Sequence, residues 1–81
     1  MDVAVMQITF KQKINELLIA KKMRKADLAR AMSVHPTYLT QYISGDVSPG
    51  LDVIEKFARA LRVEPWQLLD DTPVAEILAA S

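Results

Sequence analysis

The sequence predicts an all-α fold in one small domain. From residue 9 onward, apolar residues recur at three- and four-residue spacings, which is the period of amphipathic helices. Glycine occurs only at positions 45 and 50, and the four prolines stand where helices could begin. Because the chain has 81 residues, of which 51% are hydrophobic, it can bury a single compact core.

Two helices are predicted in the first part of the chain, after a short N-terminal segment. Residues 1–9 are apolar and alternate weakly, so we expect an arm or an edge strand there. The first helix is expected to start at Thr9, which opens a capping box. The second covers about residues 25–32, with Asp27 in its first turn, where the helix dipole favours a carboxylate.

The stretch HPTYLTQYISG predicts a third helix over residues 36–44. Pro36 suits the first helical position because its missing N–H needs no partner there, and Gly45 suits the residue just past the end. One side of this helix is apolar. The other side is small, uncharged and able to form hydrogen bonds, which is unusual for a merely solvated face, and contact with base edges would be one reason for it.

Three further segments complete the pattern. A fourth helix is predicted over about residues 51–61, and Pro65 opens a short helix that contains Trp66. A last helix follows Pro73 and carries three apolar side chains on one side, with little obvious core left to fill. These three side chains are Val74, Ile77 and Leu78.

The charge is zero overall but unevenly distributed. Residues 1–30 hold seven basic and three acidic side chains, whereas residues 31–81 hold three basic and seven acidic ones. A neutral total can therefore hide a basic face that suits nucleic acid. With no cysteine, no apolar run long enough to span a membrane and no signal peptide, we expect a soluble cytoplasmic protein.

Catalysis finds no support in the sequence. There is one histidine, no cysteine and no glycine-rich phosphate loop, so nucleophilic triads and histidine metal sites lack their components. The adjacent carboxylates of Asp70 and Asp71 are explained as helix caps. We predict no enzymatic activity, no cofactor, no metal and no small-molecule substrate.

An ordered set of residues between positions 21 and 69 resembles the Cro and lambda-repressor-like (XRE-type) helix-turn-helix family. It comprises D-L-A at 27–29, Leu39, S-P-x-L at 48–51, and A-x-x-L-x-V-x-P-x-x-L-L at 58–69. The resemblance implies a five-helix lambda-repressor-like bundle over residues 10–70. It leaves residues 1–9 as a short N-terminal extension and residues 71–81 as a C-terminal helix and possible dimerisation element.

The resemblance implies a transcriptional regulator, like a phage repressor or Cro protein, that binds double-stranded operator DNA. In this family the third helix lies in the major groove. The matching positions for base contacts are Pro36, Thr37, Thr40 and Gln41. Gln41 is the strongest candidate because an amide can bond adenine N6 and N7 together, although it could also be a solvated surface amide. The two threonines are open to the same alternative.

Phosphate contacts are expected from the start of the second helix and from both ends of the third. Tyr38 could equally cover the edge of the core, and His35 could simply cap its helix. The full set of candidates is Arg24, Lys25, His35, Tyr38, Ser44 and Ser48.

Several positions depart from the family pattern. Ser33 stands where the turn between the two motif helices usually holds glycine, so we expect either a left-handed backbone in a residue that rarely adopts one or a different turn. Leu18 and Ile43 stand where some phage repressors bury an ion pair. The third helix has no Lys or Arg, so nonspecific affinity should be modest.

The resemblance also implies a homodimer on a palindromic site, since family members bind as twofold pairs. The candidate dimer contacts are Trp66, Val74, Ile77 and Leu78, and the alternative is that the last helix folds back over its own core or frays. A restriction-modification controller or an antitoxin would have the same domain. The alternative from another class is a protein-interaction module, or an antitoxin-type protein, that binds its partner through the apolar C-terminal helix with weak or no DNA binding.

Overall fold

A computed structural model describes residues 3–44 and 47–80, and the side chains of residues 9–44 and 47–79. All the secondary structure in these residues is helical, which confirms the predicted fold class. The elements are α1 (Val3–Ala20), α2 (Lys25–Met32), α3 (Pro36–Ile43), α4 (Leu51–Leu61), a 3-10 helix (Pro65–Leu68) and α5 (Val74–Ala80).

The N-terminal segment differs from the prediction. The expected arm or edge strand over residues 1–9 is wrong for residues 3–9, which form the first turns of α1. Thr9 accordingly lies inside the helix and does not cap it. Alanine and methionine favour helices, and no glycine or proline interrupts the chain before Phe10, so the helix extends back from its buried part.

One core joins the helices, and its largest side chains come from α1 and α4. The rings of Phe10 and Phe57 meet edge to face with centroids 5.2 Å apart. Leu18 and Ile43, the apolar residues expected in place of an ion pair, are 5% and 4% exposed. The other side chains of this core are Ile14, Leu17, Leu28, Ala29, Leu39, Val53, Ile54, Ala58, Leu61, Leu68 and Ile77.

In the turn between α2 and α3, Ser33 adopts the left-handed conformation that favours glycine. Ser33 has φ 57° and ψ 44°, in the left-handed region. Its N–H donates to the Arg30 carbonyl, and the Val34 N–H donates to the Ala29 carbonyl. These hydrogen bonds end α2 and allow α3 to start at Pro36 after a short break, at a small conformational cost.

The C-terminal helix packs on the core of its own chain. Ile77 is 3% exposed, and Val74 is half-buried against the same core. The apolar stripe of α5 therefore packs internally, which was the alternative to its use as a dimer contact.

A buried lysine holds the turn that leads into α5. Lys13 on α1 is 5% exposed, and its Nζ donates to the Thr72 carbonyl. The Thr72 N–H in turn donates to Asp70 Oδ1 at 3.0 Å. Hydrogen bonds from the Thr72 side chain and backbone, aided by the charge of Lys13, lower the pKa of the Asp70 carboxyl. These hydrogen bonds thus hold the start of α5 against α1.

Ile77→Ala should lower the free energy of unfolding by about 2–5 kcal/mol, because it leaves a cavity between α5 and the core. Chemical denaturation followed by circular dichroism would measure the change. Ile19→Ala is the matched control, since Ile19 is 78% exposed and its loss should cost less than about 0.5 kcal/mol. Equally small effects of the two substitutions would contradict the packing of α5.

Candidate nucleic-acid interface

Helix α3 has one buried side and one polar, exposed side. Leu39 and Ile43 are 1% and 4% exposed, so they anchor the helix in the core. The predicted base-contacting residues all lie on the exposed part: Pro36, Thr37, Thr40 and Gln41. The structure therefore brings these four residues together on one surface, as the helical spacing predicted.

Gln41 is the last of these four residues along α3, and it is exposed. Within the described part of the chain, no hydrogen bond engages its side chain. Its amide can therefore offer both a donor and an acceptor to another molecule.

The start of α3 is capped by an imidazole. His35 Nδ1 accepts a hydrogen bond from the Thr37 backbone N–H at 3.1 Å, and Thr37 Oγ1 lies 3.0 Å from the same nitrogen. His35 thus satisfies one of the free N–H groups at the helix start, as serine or asparagine usually does. The structure thus shows His35 as a helix cap, which was one of the two roles considered for it.

Thr40 makes a local hydrogen bond along the helix. Its Oγ1 donates to the carbonyl oxygen of Pro36 at 3.2 Å. This bond runs back one turn, an arrangement that threonine often forms in helices. The methyl group and lone pairs of Thr40 remain on the exposed side.

An aromatic series joins α3 to the core. Tyr38 and Tyr42 meet edge to face at 5.2 Å between centroids, and Tyr42 meets Phe57 at 6.4 Å. Lys56 Nζ lies 5.7 Å from the centre of the Tyr38 ring. Burial raises the pKa of the Tyr38 hydroxyl, with smaller contributions from Tyr42 and Asp52. The half-buried Tyr38 ring therefore covers the edge of the core.

The start of α2 carries a cluster of charges. The Arg24 backbone N–H donates to Asp27 Oδ2 at 2.9 Å, which caps the helix. The guanidinium groups of Arg24 and Arg30 lie 3.4 Å and 3.7 Å from the Asp27 carboxylate. The backbone hydrogen bond from Arg24, followed by its side-chain hydrogen bond, lowers the pKa of Asp27. Arg24 is thus an exposed cation that already has one anionic neighbour.

Two predicted phosphate contacts from different helices lie side by side. Lys25 Nζ, at the start of α2, is 3.5 Å from Ser44 Oγ, the residue that caps the end of α3. Ser48 is exposed in the segment before α4, whereas Gly45 lies outside the described residues. The two ends of the polar surface of α3 are therefore flanked by the candidate phosphate contacts, His35 at its start and Lys25 with Ser44 at its end.

Sequence reasoning missed three features of this surface. Asp27 was assigned only to the helix dipole, although an acid three residues after a cap is also a capping signal. The contact of Lys56 with Tyr38 had no sequence signal, because it joins two helices. Val47, which is 44% exposed beside Ser48, was not considered.

The described residues hold no group of three or more His, Cys, Asp or Glu side chains that could bind a metal ion. Nor is any helix among them long and apolar enough to cross a membrane.

Comparisons with known proteins agree with this architecture. Residues 14–65 match a family model described as helix-turn-helix, which covers more than half of the chain. The chain is similar to a control protein, C.BamHI of Bacillus amyloliquefaciens, with 35% identity over 69 residues that span 84% of this chain and 85% of the relative.

A solved structure is similar over the whole fold. It is the crystal structure of a hypothetical transcription factor, NHTF from Neisseria, which matches with a TM-score of 0.76 and 26% identity. The match covers 100% of this chain and 91% of that one. The chain therefore belongs to the helix-turn-helix family and is a DNA-binding transcriptional regulator, not an enzyme.

Proposed function

We propose that the chain regulates transcription by binding a palindromic operator as a homodimer, with α3 in the major groove of double-stranded DNA. The observation that carries the proposal is the exposed, uncharged face of α3, which is seated on Leu39 and Ile43 and flanked by cations at the start of α2. A surface of this kind reads base edges by hydrogen bonds while the neighbouring helix approaches the backbone.

Base recognition would centre on Gln41. Its amide is exposed and uncommitted within the described residues, so it can bond adenine N6 and N7 together. Thr37 and Thr40 would add hydroxyl or methyl contacts, and Pro36 would act by van der Waals contact. No arginine is available on α3 to bond guanine.

Phosphate contacts would come from both sides of α3. Lys25 and Ser44 are close enough to grip the same phosphate. Arg24 would exchange its contact with Asp27 for a phosphate oxygen. At the other end, the Nε2 atom of His35 is left for a phosphate because Nδ1 caps the helix. Ser48 and the Tyr38 hydroxyl complete the proposed set.

Dimerisation would use the surface around Trp66. Its indole is 56% exposed, and the neighbouring groove of about 370 Å³ is lined by Glu55, Ala58, Arg59, Val63 and Pro65. A projecting ring next to a groove can be self-complementary, as a twofold interface requires. Glu55 and Arg59 could then pair across the axis. Val74 and Leu78 would extend this surface, and the buried Ile77 would support it from within.

The regulator would repress by occluding a promoter. Among the settings that share this domain, similarity to a protein named as a control protein favours a controller over a phage repressor or an antitoxin. If the protein selects no DNA sequence, the alternative function, a protein-interaction module, would replace this proposal.

Selection of the purified protein against random duplexes should enrich a palindromic motif, and Gln41→Ala should relax one position in each half-site. The expected loss is about 1–3 kcal/mol of discrimination at that position, because a bidentate amide contact disappears. Sequencing of the bound fractions measures both results.

Glu76→Gln serves as the control, since Glu76 lies on α5, away from α3, and should leave the motif unchanged. A motif that Gln41→Ala leaves unaltered would remove Gln41 from base recognition. Failure to enrich any motif at several salt concentrations would overturn the proposed function.

Arg24→Gln should reduce the slope of log affinity against log salt by about one unit, because one fewer phosphate is neutralised. Fluorescence anisotropy with operator DNA at several salt concentrations measures the slope. Arg62→Gln is the matched control, as Arg62 ends α4, opposite the end that follows α3. The Arg24 assignment fails if both variants keep the slope of the unmodified protein.

Trp66→Ala should yield monomers at concentrations where the unmodified protein sediments as a dimer. Binding to a full palindrome should weaken strongly, while binding to an isolated half-site should change little, because the base-reading surface is intact. Sedimentation velocity and half-site titrations measure these effects. Ile19→Ala also removes an exposed apolar side chain and should leave the dimer intact. A dimeric Trp66→Ala variant would rule out this surface.

A further inference from the structure

Both threonine hydroxyls on the exposed face of α3 are hydrogen-bonded within the chain. Thr37 Oγ1 lies 3.0 Å from His35 Nδ1, and Thr40 Oγ1 lies 3.2 Å from the Pro36 carbonyl oxygen. A hydroxyl has one proton to donate and two lone pairs that accept. The direction of each internal bond therefore determines what the threonine can offer to another molecule.

The direction of the Thr40 bond follows from its partner. A carbonyl oxygen can only accept, so the Thr40 hydroxyl is the donor. Its proton points along the helix toward Pro36. What remains for an outside partner is the pair of oxygen lone pairs and the methyl group.

The direction of the Thr37 bond follows from a second contact of the same imidazole nitrogen. The Thr37 backbone N–H donates to His35 Nδ1 at 3.1 Å. Because an N–H has no lone pair, Nδ1 must be the unprotonated acceptor, and the proton of the neutral ring is on Nε2. An unprotonated Nδ1 can only accept, so the Thr37 hydroxyl is the donor in this contact, and it shares the one lone pair of Nδ1 with the backbone N–H.

We propose that α3 presents the hydroxyls of Thr37 and Thr40 to DNA as hydrogen-bond acceptors, and that each hydroxyl therefore selects an amino base, adenine or cytosine, where it contacts the major groove. The inference rests on the proposed function. Adenine N6 and cytosine N4 are amino donors in the major groove, whereas guanine and thymine offer acceptors there. A guanine or thymine would require the hydroxyl to give up its internal bond before it could donate.

His35 is a positioning residue in this arrangement. It holds the Thr37 proton away from DNA without touching the base. Thr40 is held independently, by the Pro36 carbonyl. Gln41 differs from both threonines, because its amide keeps donors and an acceptor available. On the exposed face of α3, internal contacts thus leave Thr37 and Thr40 as acceptors, whereas Gln41 can donate or accept.

The experiment uses base analogues in the operator obtained by selection. Each adenine or cytosine of a half-site is replaced in turn by purine or 2-pyrimidinone, which lack the exocyclic amino group. Separately, each purine is replaced by its 7-deaza analogue, which lacks the N7 acceptor. Dissociation constants are measured for the unmodified protein, Thr37→Val and Thr40→Val, since valine keeps the shape and removes the hydroxyl.

Loss of one amino group should weaken binding of the unmodified protein by about twofold to tenfold, and Thr37→Val should abolish that sensitivity. A second amino group should be coupled in the same way to Thr40→Val. Effects of an analogue on the duplex itself cancel in this comparison, because every protein variant meets the same DNA. The proposal would be overturned if a valine variant abolished the sensitivity to loss of an N7 atom. It would also be overturned if neither valine variant altered the sensitivity to any amino-group or N7 deletion. Failure to select any operator would instead be a failure of the proposed function.

The role of His35 is tested by the discrimination between adenine and guanine, or cytosine and thymine, at the base assigned to Thr37. His35→Ala frees the Thr37 hydroxyl to donate, so this discrimination should fall by about twofold or more. Discrimination at the base assigned to Thr40 should stay the same. If His35→Ala simply loosened α3, base discrimination would fall equally at the Thr37 and Thr40 positions. Either that result or unchanged discrimination at the Thr37 base would refute the positioning role.

Discussion

The burial of Leu39 and Ile43 is the constraint on which the proposed DNA-reading surface depends. A helix of eight residues, such as α3, is not stable alone in water, so its conformation and orientation come from the core. Tyr42 extends this attachment through its edge contact with Phe57, which itself meets Phe10 of α1. Once these side chains are buried, the period of the helix fixes which residues face outward.

Helix α3 itself carries no cation, and the cations proposed to contact phosphate lie at the start of the neighbouring α2. Arg24 and Arg30 share the carboxylate of Asp27, with side-chain exposures of 80%, 78% and 30% respectively. Ion pairs this exposed contribute little to stability, so exchanging the carboxylate for a phosphate would cost little. Asp27 thus keeps the helix start capped and ordered without preventing Arg24 from taking another anionic partner.

The sequence was sufficient where local rules decide the structure. Pro36 and the apolar spacing located α3 to within one residue, and the glycine that the family usually has at position 33 made a left-handed Ser33 one of the two expected outcomes. It was insufficient where distant segments meet. The packing of Ile77 and the contact from Lys13 to Thr72 join parts of the chain separated by dozens of residues. No local pattern encodes such contacts, which is why α5 was expected to lack a core.

The exposed surface of α3 was also predictable from the sequence only in part. Exposure of the polar face of α3 could be deduced from helical spacing, whereas the directions of its hydrogen bonds required coordinates. The His35 cap is the clearest case, because the sequence left its role open between capping and phosphate binding. One ring can do both, since the cap uses only Nδ1 and leaves Nε2 for a second partner.

A recognition helix without charge changes how affinity and specificity are related. Phosphate contacts strengthen binding to every sequence equally, whereas base contacts distinguish one sequence from another. Since α3 adds no cation of its own, binding to unrelated DNA is limited to the few cations around it. Discrimination then depends on the hydrogen bonds of α3, and the penalties for mismatched bases add over well-separated positions. In the proposed dimer, a second copy on a palindrome doubles those positions and so adds specificity to a surface that has no cation of its own.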